Sequence, residues 1–583
     1  MNDTSSIENY HRINDLDQHS EDIDDDNDIV NIGQEVQAHI PDIVLNNLND
    51  LIDRKGNINI PNEHAYHNST LLFLDVSGFT SLTEQYSNDA HLGIDQLTCT
   101  LNSYFDKLVY EILTHEGDIY KFAGDAILSL WTNEQTGPQQ ALKCALHLQQ
   151  KCGAYETDVG VMLRVKVALA YGSVRALFVG IEDFKHYLLT GDCVKNVNVC
   201  EQLCEPGDIL MTKAVYERID SSAFNCEFQP VSEEIDPKQE HISVKYSLSR
   251  QSSMDEKSDM EDHISPSTVI HERMVCASIK QTMDSVNQEI MNDDTSRRSS
   301  ENDLSDQEFY LKINILMKSF ILHCVHQRIE RKQSLDYLSE LRRVTISFIN
   351  LDISNEQSIN DNLHENIHKI FVQIYELTKM MGGVLTKALL FDKGWSFLCV
   401  FGLPGYKQGD DTANALKSAQ MIYSQIREQC DFVEKCSIGV TTGLTYCGVV
   451  GHRARCEYTV IGRKVNMAAR LMCNYPSIIS CDQETYYNSR LNSRFFRILP
   501  DKNLKGMNNV GVIWHFGNSH DVSQAVEHTK SVNRQTDESR HEDLPLLGRR
   551  VELMIVATQI MLLDESGNSK SRRQEIAAII FEG

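Results

Sequence analysis

Two apolar stretches, each interrupted by one aspartate, stand out early in the chain. Residues 71–74 form a continuous apolar run that predicts a buried strand, and Asp75 closes it. Residues 119–122 and 126–131 are two further runs separated by Ala-Gly-Asp, which predicts a hairpin with Asp125 in its turn. If the strands are neighbours, both carboxylates meet at one edge of a sheet.

The residues around these aspartates favour a metal and phosphate site. Two close carboxylates repel each other unless a divalent cation lies between them, and Mg²⁺ prefers a few carboxylates together with substrate phosphates. Ser77 and Gly78 follow the first strand, and a helical pattern opens at Phe79. The free N–H groups of a helix start suit a phosphate. Taken singly, each aspartate also has a structural interpretation, Asp75 as a helix-start cap and Asp125 as a turn residue.

The same order of elements recurs about 270 residues later. Residues 344–350 repeat the first strand, residues 381–402 repeat the hairpin, and YTVIGRKVN from Tyr458 repeats YLLTGDCVK from Tyr187. A nearly constant spacing across several elements indicates a duplicated domain. Strong strands alternating with helices, with hairpins among them, predict an α/β fold, here an α+β sandwich of the ferredoxin-like type.

Changes in composition set the expected boundaries. Crowded acidic residues mark the beginning of the chain, and a Ser-, Asp- and Glu-rich stretch separates the two copies. The predicted organisation is an acidic disordered tail at 1–37, a first domain at 38–245, a disordered linker at 246–306, a second domain at 307–518, a linker at 519–541, and the start of a further domain at 542–583.

Charge and composition exclude some classes of function. The chain of 583 residues has 83 acidic and 55 basic side chains, and the formal net charge of −28 argues against nucleic-acid binding through a basic face. The most apolar helical stretch, residues 309–329, is interrupted by lysines and histidines, which predicts an amphipathic helix and no membrane span. The 16 cysteines show no paired metal-binding spacing. We expect a soluble cytoplasmic protein, with association to organelles or the cytoskeleton left open.

In this order, the two aspartate motifs resemble those of the class III nucleotidyl cyclases, the adenylyl and guanylyl cyclases. In that family the first aspartate precedes a Gly-Phe-Thr turn and the second lies in a Phe-x-Gly-Asp turn, and both patterns are present here. The resemblance implies that Asp75, Asp125 and the Val76 carbonyl hold two Mg²⁺ or Mn²⁺ ions, with Ca²⁺ as a further candidate. It also implies that the backbone from Ser77 through Gly78 and Phe79 to Thr80 cradles the phosphates.

The two copies differ at the positions that matter for this chemistry. Asn350 aligns with Asp75 and Gly394 with Asp125, so the second copy has lost both metal carboxylates. Asn466 and Arg470 lie one helical turn apart in the second copy, and the first copy has no equivalents. In the family such an Asn orients the ribose and such an Arg stabilises transition-state charge. The resemblance therefore implies one catalytic site assembled from both copies within one chain.

Substrate choice rests on two positions of the second copy. Family members that use ATP carry Lys and Asp or Thr where this chain has Lys387 and Thr459, whereas those that use GTP carry Glu and Cys. An ammonium group only donates, so it can meet adenine N1 but not the N1–H of guanine. The resemblance also implies terminal-phosphate contacts from Lys166 and from Lys505. These features favour an adenylyl cyclase over its first alternative, a guanylyl cyclase.

Within the family, the chain is most similar to the bicarbonate-responsive soluble adenylyl cyclases of animals. In those enzymes a Lys and an Arg hold bicarbonate in the degenerate pocket; Lys121 matches the Lys, but Asn198 stands at the Arg position, and an amide cannot replace a guanidinium in anion binding. The segment from Leu544 resembles the opening of a P-loop ATPase domain that the chain does not complete. A catalytically silent nucleotide-sensing module is the second alternative.

Overall fold

The computed structural model describes residues 35–53, 55–88, 94–231, 241–246, 306–354, 361–391, 394–504, 507 and 510–517. Both copies lie in one compact unit. Most of the predicted acidic tail, almost all of the linker at 246–306, and residues 519–583 with the ATPase-like segment lie outside the described residues, so these predictions stay predictions. Among the described helices, none is long and apolar enough to cross a membrane.

The first copy is built on a nine-stranded sheet. Its main order is β2-β3-β1-β5-β7-β9-β8, and β4 and β6 also pair with β5. The strands are β1 (Asn62–Ser77), β2 (Asp118–Ala123), β3 (Ala126–Trp131), β4 (Ala154–Glu156), β5 (Met162–Gly180), β6 (Lys185–Thr190), β7 (Ile209–Thr212), β8 (Cys226–Val231) and β9 (His241–Tyr246).

The second copy repeats this order in an eight-stranded sheet. The order is β11-β12-β10-β13-β15-β17-β16, with β14 pairing with β13. The strands are β10 (Glu340–Ile353), β11 (Gly383–Phe391), β12 (Gly394–Phe401), β13 (Val433–His452), β14 (Arg455–Ile461), β15 (Ile479–Cys481), β16 (Phe496–Ile498) and β17 (Trp514–Phe516). The repeated strand order agrees with the duplication that the sequence predicts.

Helices cover one face of each sheet, and the opposite faces meet in a core shared by both copies. Residues 309–329, predicted as one amphipathic helix, belong to two helices, α8 (Asp306–Lys318) and α9 (His323–Glu330), because the chain turns at residues 319–322. The helices are α1 (Asp42–Leu45), α2 (Leu48–Leu51), α3 (Phe79–Asn88), α4 (Ile94–Thr114), α5 (Gly137–Cys152), α6 (Asp192–Leu203), α7 (Lys213–Tyr216), α8 (Asp306–Lys318), α9 (His323–Glu330), α10 (Leu363–Met380), α11 (Asp411–Gln429), α12 (Arg463–Asn474) and α13 (Gln483–Ser489).

The two copies pack head to tail. Helix α4 of the first copy lies on β13 of the second, and its counterpart α10 lies on β5 of the first. In the same reciprocal way β2 contacts β14, and β11 contacts β6. This arrangement places the hairpin of one copy beside the strand and helix that follow the long central strand of the other.

The segment that precedes β1 joins the two copies. The backbone N–H groups of Asp42 and Ile43 donate to the partly buried carboxylate of Asp118 on β2, at 3.0 and 2.8 Å. Four residues before Asp42, the carbonyl of Ala38 accepts from the N–H of Cys456 on β14 at 2.8 Å. The apolar side chains of this segment are buried in the core between the sheets, so it acts as a structural bridge.

Acidification should weaken this bridge through His39. Burial, reinforced by the charge of Arg455, lowers the pKa of His39 to about 4. In the unfolded chain His39 is protonated below its ordinary pKa of 6.5, whereas in the folded chain it stays neutral down to about pH 4. The free energy of unfolding therefore decreases as the pH falls from about 6.5 to about 4, by up to about 3 kcal/mol. Urea unfolding of His39→Gln should show a flatter pH dependence across this range than the wild type. Equal slopes for His39→Gln and wild type would contradict the expectation.

Candidate active site at the junction of the two copies

The two aspartates predicted to meet do so at one edge of the first sheet. The hairpin is confirmed: β2 ends at Ala123, β3 begins at Ala126, and Asp125 occupies the two-residue turn between them. Asp75, near the end of β1, lies opposite Ala126 in the strand register. Gly124 precedes Asp125 with a φ of +72°, a left-handed conformation that glycine adopts without strain.

The carboxylates repel each other, and a lysine partly offsets this repulsion. Burial and then the negative charge of Asp75 raise the pKa of Asp125. Lys166, opposite Asp75 on β5, places its ammonium 3.1 Å from Asp75 Oδ2 and also contacts Glu201. Burial opposes the charged form of Lys166, but these carboxylates outweigh it and raise the pKa of the lysine. Two carboxylates facing the same space fit the oxygen ligands that Mg²⁺ takes in proteins.

The turn after Asp75 leads directly into α3. Gly78 has a φ of +111°, and a Cβ at this position would lie 2.8 Å from the carbonyl oxygen of Met162, so only glycine fits. Phe79 begins α3 with its side chain fully buried and stacked on Phe105, ring centroids 5.5 Å apart. Ser77 remains partly exposed, whereas Val76 is buried. The backbone N–H groups at the start of α3 are thereby held next to Asp75.

Copy two brings its helix α12 to this edge. The side chain of Asn466 hydrogen-bonds the Asp125 carboxylate of copy one, and this bond favours the ionised form of the carboxylate. Arg470 lies one turn further along α12 and is exposed. Since α12 also contacts α3, the predicted ribose and transition-state residues lie on the helix that faces the two aspartates. The structure thus brings together residues that are separated by more than 340 positions in the chain.

The predicted base-selecting residues are buried on two strands of the second copy that are not adjacent in its sheet. Lys387 lies on β11 and Thr459 on β14, and both are less than 4% exposed. Lys387 forms an ion pair with Glu457, whose other carboxylate oxygen lies 3.3 Å from Arg455 Nη2. Burial lowers the pKa of Lys387, and the negative charge of Glu457 opposes this effect. Burial alone would raise the pKa of Glu457, but the charges of Lys387 and Arg455 lower it.

Glu457 and Arg455, which hold Lys387 in place, were not predicted from the sequence. Glu457 also accepts from the N–H of Phe122 at 3.3 Å, and Arg455 Nε donates to the carbonyl of Ile119 at 2.8 Å. Both contacts reach the hairpin of copy one. In the sequence, Arg-Cys-Glu shows only that two charges stand at the start of the apolar strand β14, where an unpaired charge is costly, and not which residues they bind.

A second, pseudo-equivalent lysine occupies the opposite side of the junction. Lys121 follows a bulge in β2 and pairs with Leu128, as Lys387 follows a bulge in β11 and pairs with Leu398. Lys121 is fully buried and donates to the carbonyl of Tyr187 at 3.0 Å. Burial, with the charges of Lys387 and Arg455 acting in the same direction, lowers the pKa of Lys121 to about 7.

His186 lies next to Lys121, and Asn198, the other residue predicted for this pocket, contacts β11. His186 Nε2 lies 3.4 Å from the Lys121 ammonium and accepts from the N–H of Ala388 at 2.9 Å. The proton of this imidazole is therefore on Nδ1, a buried atom with no hydrogen-bond partner among the described residues. Asn198 is buried as well and donates to the carbonyl of Leu390 at 3.2 Å.

The strand registers support one of the two predicted alignments between the copies and contradict the other. Asn350 lies opposite Ser396 on β12, as Asp75 lies opposite Ala126, and its side chain accepts from the Ser396 hydroxyl at 3.1 Å. The alignment of Gly394 with Asp125 is wrong, because each arm of the second hairpin extends two residues further beyond its bulge lysine. Gly394 pairs with Phe391 at the end of that longer hairpin.

Of the residues predicted to contact the phosphates, the structure describes one only by its backbone and leaves another outside the described residues. Thr80 contributes its backbone to the first turn of α3, and its side chain lies outside the described residues. Lys505 lies outside them altogether.

Comparison with known proteins gives the same two-copy division. Residues 62–245 and 337–508 match the family described as the adenylate and guanylate cyclase catalytic domain. The chain is 32% identical over 526 residues to adenylate cyclase type 10 of Oryctolagus cuniculus, covering 89% of this chain and 30% of that protein. It is 31% identical over 529 residues to the Homo sapiens protein of the same name, with the same coverage.

The chain thus spans about a third of the length of these curated relatives. A solved structure, a class III adenylyl cyclase-like ATP-binding protein from Pseudomonas aeruginosa, is 12% identical and covers 81% of this chain and 94% of its own, with a TM-score of 0.44. That likeness says nothing about function. On the family match over both copies, the chain belongs to the adenylate and guanylate cyclase catalytic domain family and carries two copies of that domain.

Proposed function

We propose that this chain is an adenylyl cyclase that converts ATP to 3′,5′-cyclic AMP and pyrophosphate. The observation that carries the proposal is the hydrogen bond between Asn466 of copy two and Asp125 of copy one. It joins the carboxylate pair to the helix that bears Arg470, so one site holds every residue type the reaction needs. Relatives named adenylate cyclase over 89% of the chain support the same activity.

The carboxylates of Asp75 and Asp125, with the Val76 carbonyl, would hold two divalent ions, Mg²⁺ or Mn²⁺, with Ca²⁺ as a further candidate. When bound, such ions activate the ribose 3′-hydroxyl and neutralise charge on the phosphates. Proteins with this domain generally depend on divalent metals. Lys166 then becomes available to a terminal phosphate, because the ions would replace it as the counter-charge of Asp75.

In the reaction, the ribose 3′-oxygen bonds to the α-phosphorus as the bond from that phosphorus to the β-phosphate oxygen breaks. Pyrophosphate leaves, and the 3′-hydroxyl proton passes to solvent. Asn466 orients the ribose, and the Arg470 guanidinium stabilises the charge that develops on the phosphate oxygens. The N–H groups from Ser77 to Thr80 bind the phosphate chain.

Adenine selection follows from the buried pair Lys387 and Glu457. The carboxylate keeps the ammonium charged and fixed in a dry pocket, where it can donate to adenine N1, and the hydroxyl of Thr459 can accept from the adenine amine. Guanine presents a donor at N1 and would oppose the ammonium. A guanylyl cyclase is therefore the disfavoured alternative.

Lys387→Gln should lower the ratio of kcat/KM for ATP to that for GTP by about tenfold to a hundredfold, the value of one charge-assisted hydrogen bond. Lys121→Gln is the matched control, because Lys121 occupies the pseudo-equivalent position outside the proposed site. The control should keep the wild-type ratio. Initial rates with each nucleotide give both ratios, and an unchanged ratio in Lys387→Gln would remove its assigned role.

The pocket beside Lys121 is proposed as a regulatory anion site, with bicarbonate as its candidate ligand. What supports it is the buried ammonium of Lys121, a donor that an anion could accept from, with His186 Nε2 3.4 Å away. The unpartnered N–H of His186 Nδ1 points to the other side of the imidazole ring from Lys121, and Asn198 provides no positive charge, so the assignment rests on Lys121. Activation by bicarbonate in the wild type that is lost in Lys121→Gln would support this assignment.

Cyclic-nucleotide formation tests the proposal. The chain is incubated with ATP or GTP, with Mg²⁺ or Mn²⁺, and with or without bicarbonate. The products are then separated and identified by mass spectrometry. Cyclic AMP from ATP is the expected product. Cyclic GMP formed from GTP as the main product would favour the guanylyl alternative, and ATP binding without turnover would favour the silent nucleotide-sensing module.

A further inference from the structure

Three metal-ligating side chains converge at the end of α4, away from the residues assigned to catalysis. Glu111 lies in the last turn of α4, His115 follows that helix, and His147 lies on the adjacent α5. One ligand atom from each lies within 4.8 Å of the other two. Nothing in the proposed reaction uses these residues.

Two of the three are buried and already oriented. Glu111 and His115 are 4% and 7% exposed. His115 Nδ1 lies 2.7 Å from the backbone carbonyl of Glu111, which can only accept, so Nδ1 carries the proton and Nε2 keeps its lone pair. The carbonyl of His115 accepts from Trp131 Nε1 at 2.7 Å. A ring N–H held by a carbonyl is the usual outer contact of a metal-bound histidine.

The third ligand can move, and so can the lysine that now neutralises Glu111. His147 is nearly half exposed, and its Nδ1 lies 3.8 Å from Glu111 Oε2. Lys151 Nζ is 2.5 Å from Glu111 Oε1, but its side chain is 55% exposed. An ion pair with one exposed partner contributes little, so Lys151 can swing into solvent. The charges of Lys143 and Lys151 both act on His147 and oppose a cation, which two imidazoles and a carboxylate must outweigh.

We propose that Glu111, His115 and His147 form a Zn²⁺ site that links α4 to α5. Two imidazoles and one carboxylate are a ligand set that Zn²⁺ accepts, with water in the fourth position. Tetrahedral ligands about 2.1 Å from zinc lie about 3.4 Å apart. The present separations, all within 4.8 Å, would have to shorten towards that value, and the nearly half-exposed His147 is the ligand with the most room to move. Because Trp131 ends β3, which begins next to Asp125, the link would also stiffen the support of the catalytic turn.

A second histidine pair offers a matched comparison. His323 and His326 on α9 have ring centroids 4.7 Å apart, almost the 4.8 Å of His115 and His147. However, His323 Nδ1 and His326 Nε2 already hydrogen-bond each other at 3.0 Å, and Glu330 pairs with Lys318. The pair on α9 therefore has its facing nitrogens occupied, and it does not form a three-ligand cluster among the described residues.

Zn²⁺ titration of the chain tests the proposal. The titration is done against a competing chromophoric chelator, with excess Mg²⁺ to occupy the catalytic carboxylates. The variants are His147→Ala, whose exposed site tolerates the change, Glu111→Gln, and His323→Ala as the matched control. Removing a ligand should weaken Zn²⁺ binding by about tenfold to a hundredfold or more, whereas His323→Ala should stay within about twofold of the wild type.

Two further readouts separate a built site from surface binding. Co²⁺ in place of Zn²⁺ should give visible absorption bands in the wild type that are missing in His147→Ala. Zn²⁺ should raise the melting temperature of the wild type and of His323→Ala but not of His147→Ala, because only a ligand that binds the folded state stabilises it. Equal Zn²⁺ affinity in the wild type and His147→Ala, or a loss in His323→Ala instead, would overturn the proposal.

Discussion

Replacing Asp75 or Asp125 with alanine should abolish cyclic AMP formation, with kcat falling about 1,000-fold or more. Each variant removes one of the two carboxylates expected to hold the metal ions, whose charge stabilisation is worth several kcal/mol, and about 1.4 kcal/mol corresponds to tenfold in rate. The fold should survive, since removing either charge relieves the repulsion that raises the pKa of Asp125. Initial rates with Mg²⁺ and ATP, together with a melting curve, measure both effects.

Asp352→Ala is the control for this pair. Asp352 stands near the end of β10, as Asp75 stands near the end of β1, and its carboxylate contacts Lys435 at 2.9 Å much as Asp75 contacts Lys166. It lies outside the proposed catalytic site, so activity should remain close to wild type. Retention of activity in Asp75→Ala would contradict the metal assignment.

Replacing Arg470 with alanine should lower kcat by about a hundredfold and change KM much less. The guanidinium is expected to bind charge that develops only in the transition state, and one such donor contributes about a hundredfold to a thousandfold. Arg470 is exposed on α12, so its removal should not disturb packing. Steady-state kinetics with ATP separate the two parameters.

Arg470→Lys tests whether catalysis needs the planar, bidentate guanidinium group or only its positive charge. An ammonium keeps the charge but cannot bind two phosphate oxygens in the same bidentate geometry, so we expect an intermediate kcat. A rise in KM with unchanged kcat for Arg470→Ala would instead assign Arg470 to ground-state binding and remove its transition-state role.

The sequence predicted the elements whose patterns are local. The hairpin around Asp125 was placed to within one residue at each end, because its two apolar arms and Gly turn lie within 14 residues of one another. The duplication was also visible, since the same apolar strand and helix patterns recur at a nearly constant spacing. Asp75 and Asp125 could be paired because neighbouring strands must bring them together.

What the sequence did not predict depends on distant contacts. Glu457 binds Lys387 across 70 positions and Phe122 across 335, and no local pattern signals either bond. The extra length of the second hairpin, which upset the alignment of Gly394, is visible only from the strand registers. The cluster of Glu111, His115 and His147 likewise depends on a distant contact, the packing of α5 against the end of α4.

The claim that one catalytic site is assembled from both copies of a single chain can be measured by mixing variants. Turnover of Asp75→Ala, of Arg470→Ala and of their equimolar mixture is compared with that of the wild type. We predict cyclic AMP formation at about 1% of the wild-type rate or less in all three, because each chain carries one defective site and chains cannot exchange copies. Recovery of activity in the mixture, or wild-type turnover by Arg470→Ala alone, would contradict this account.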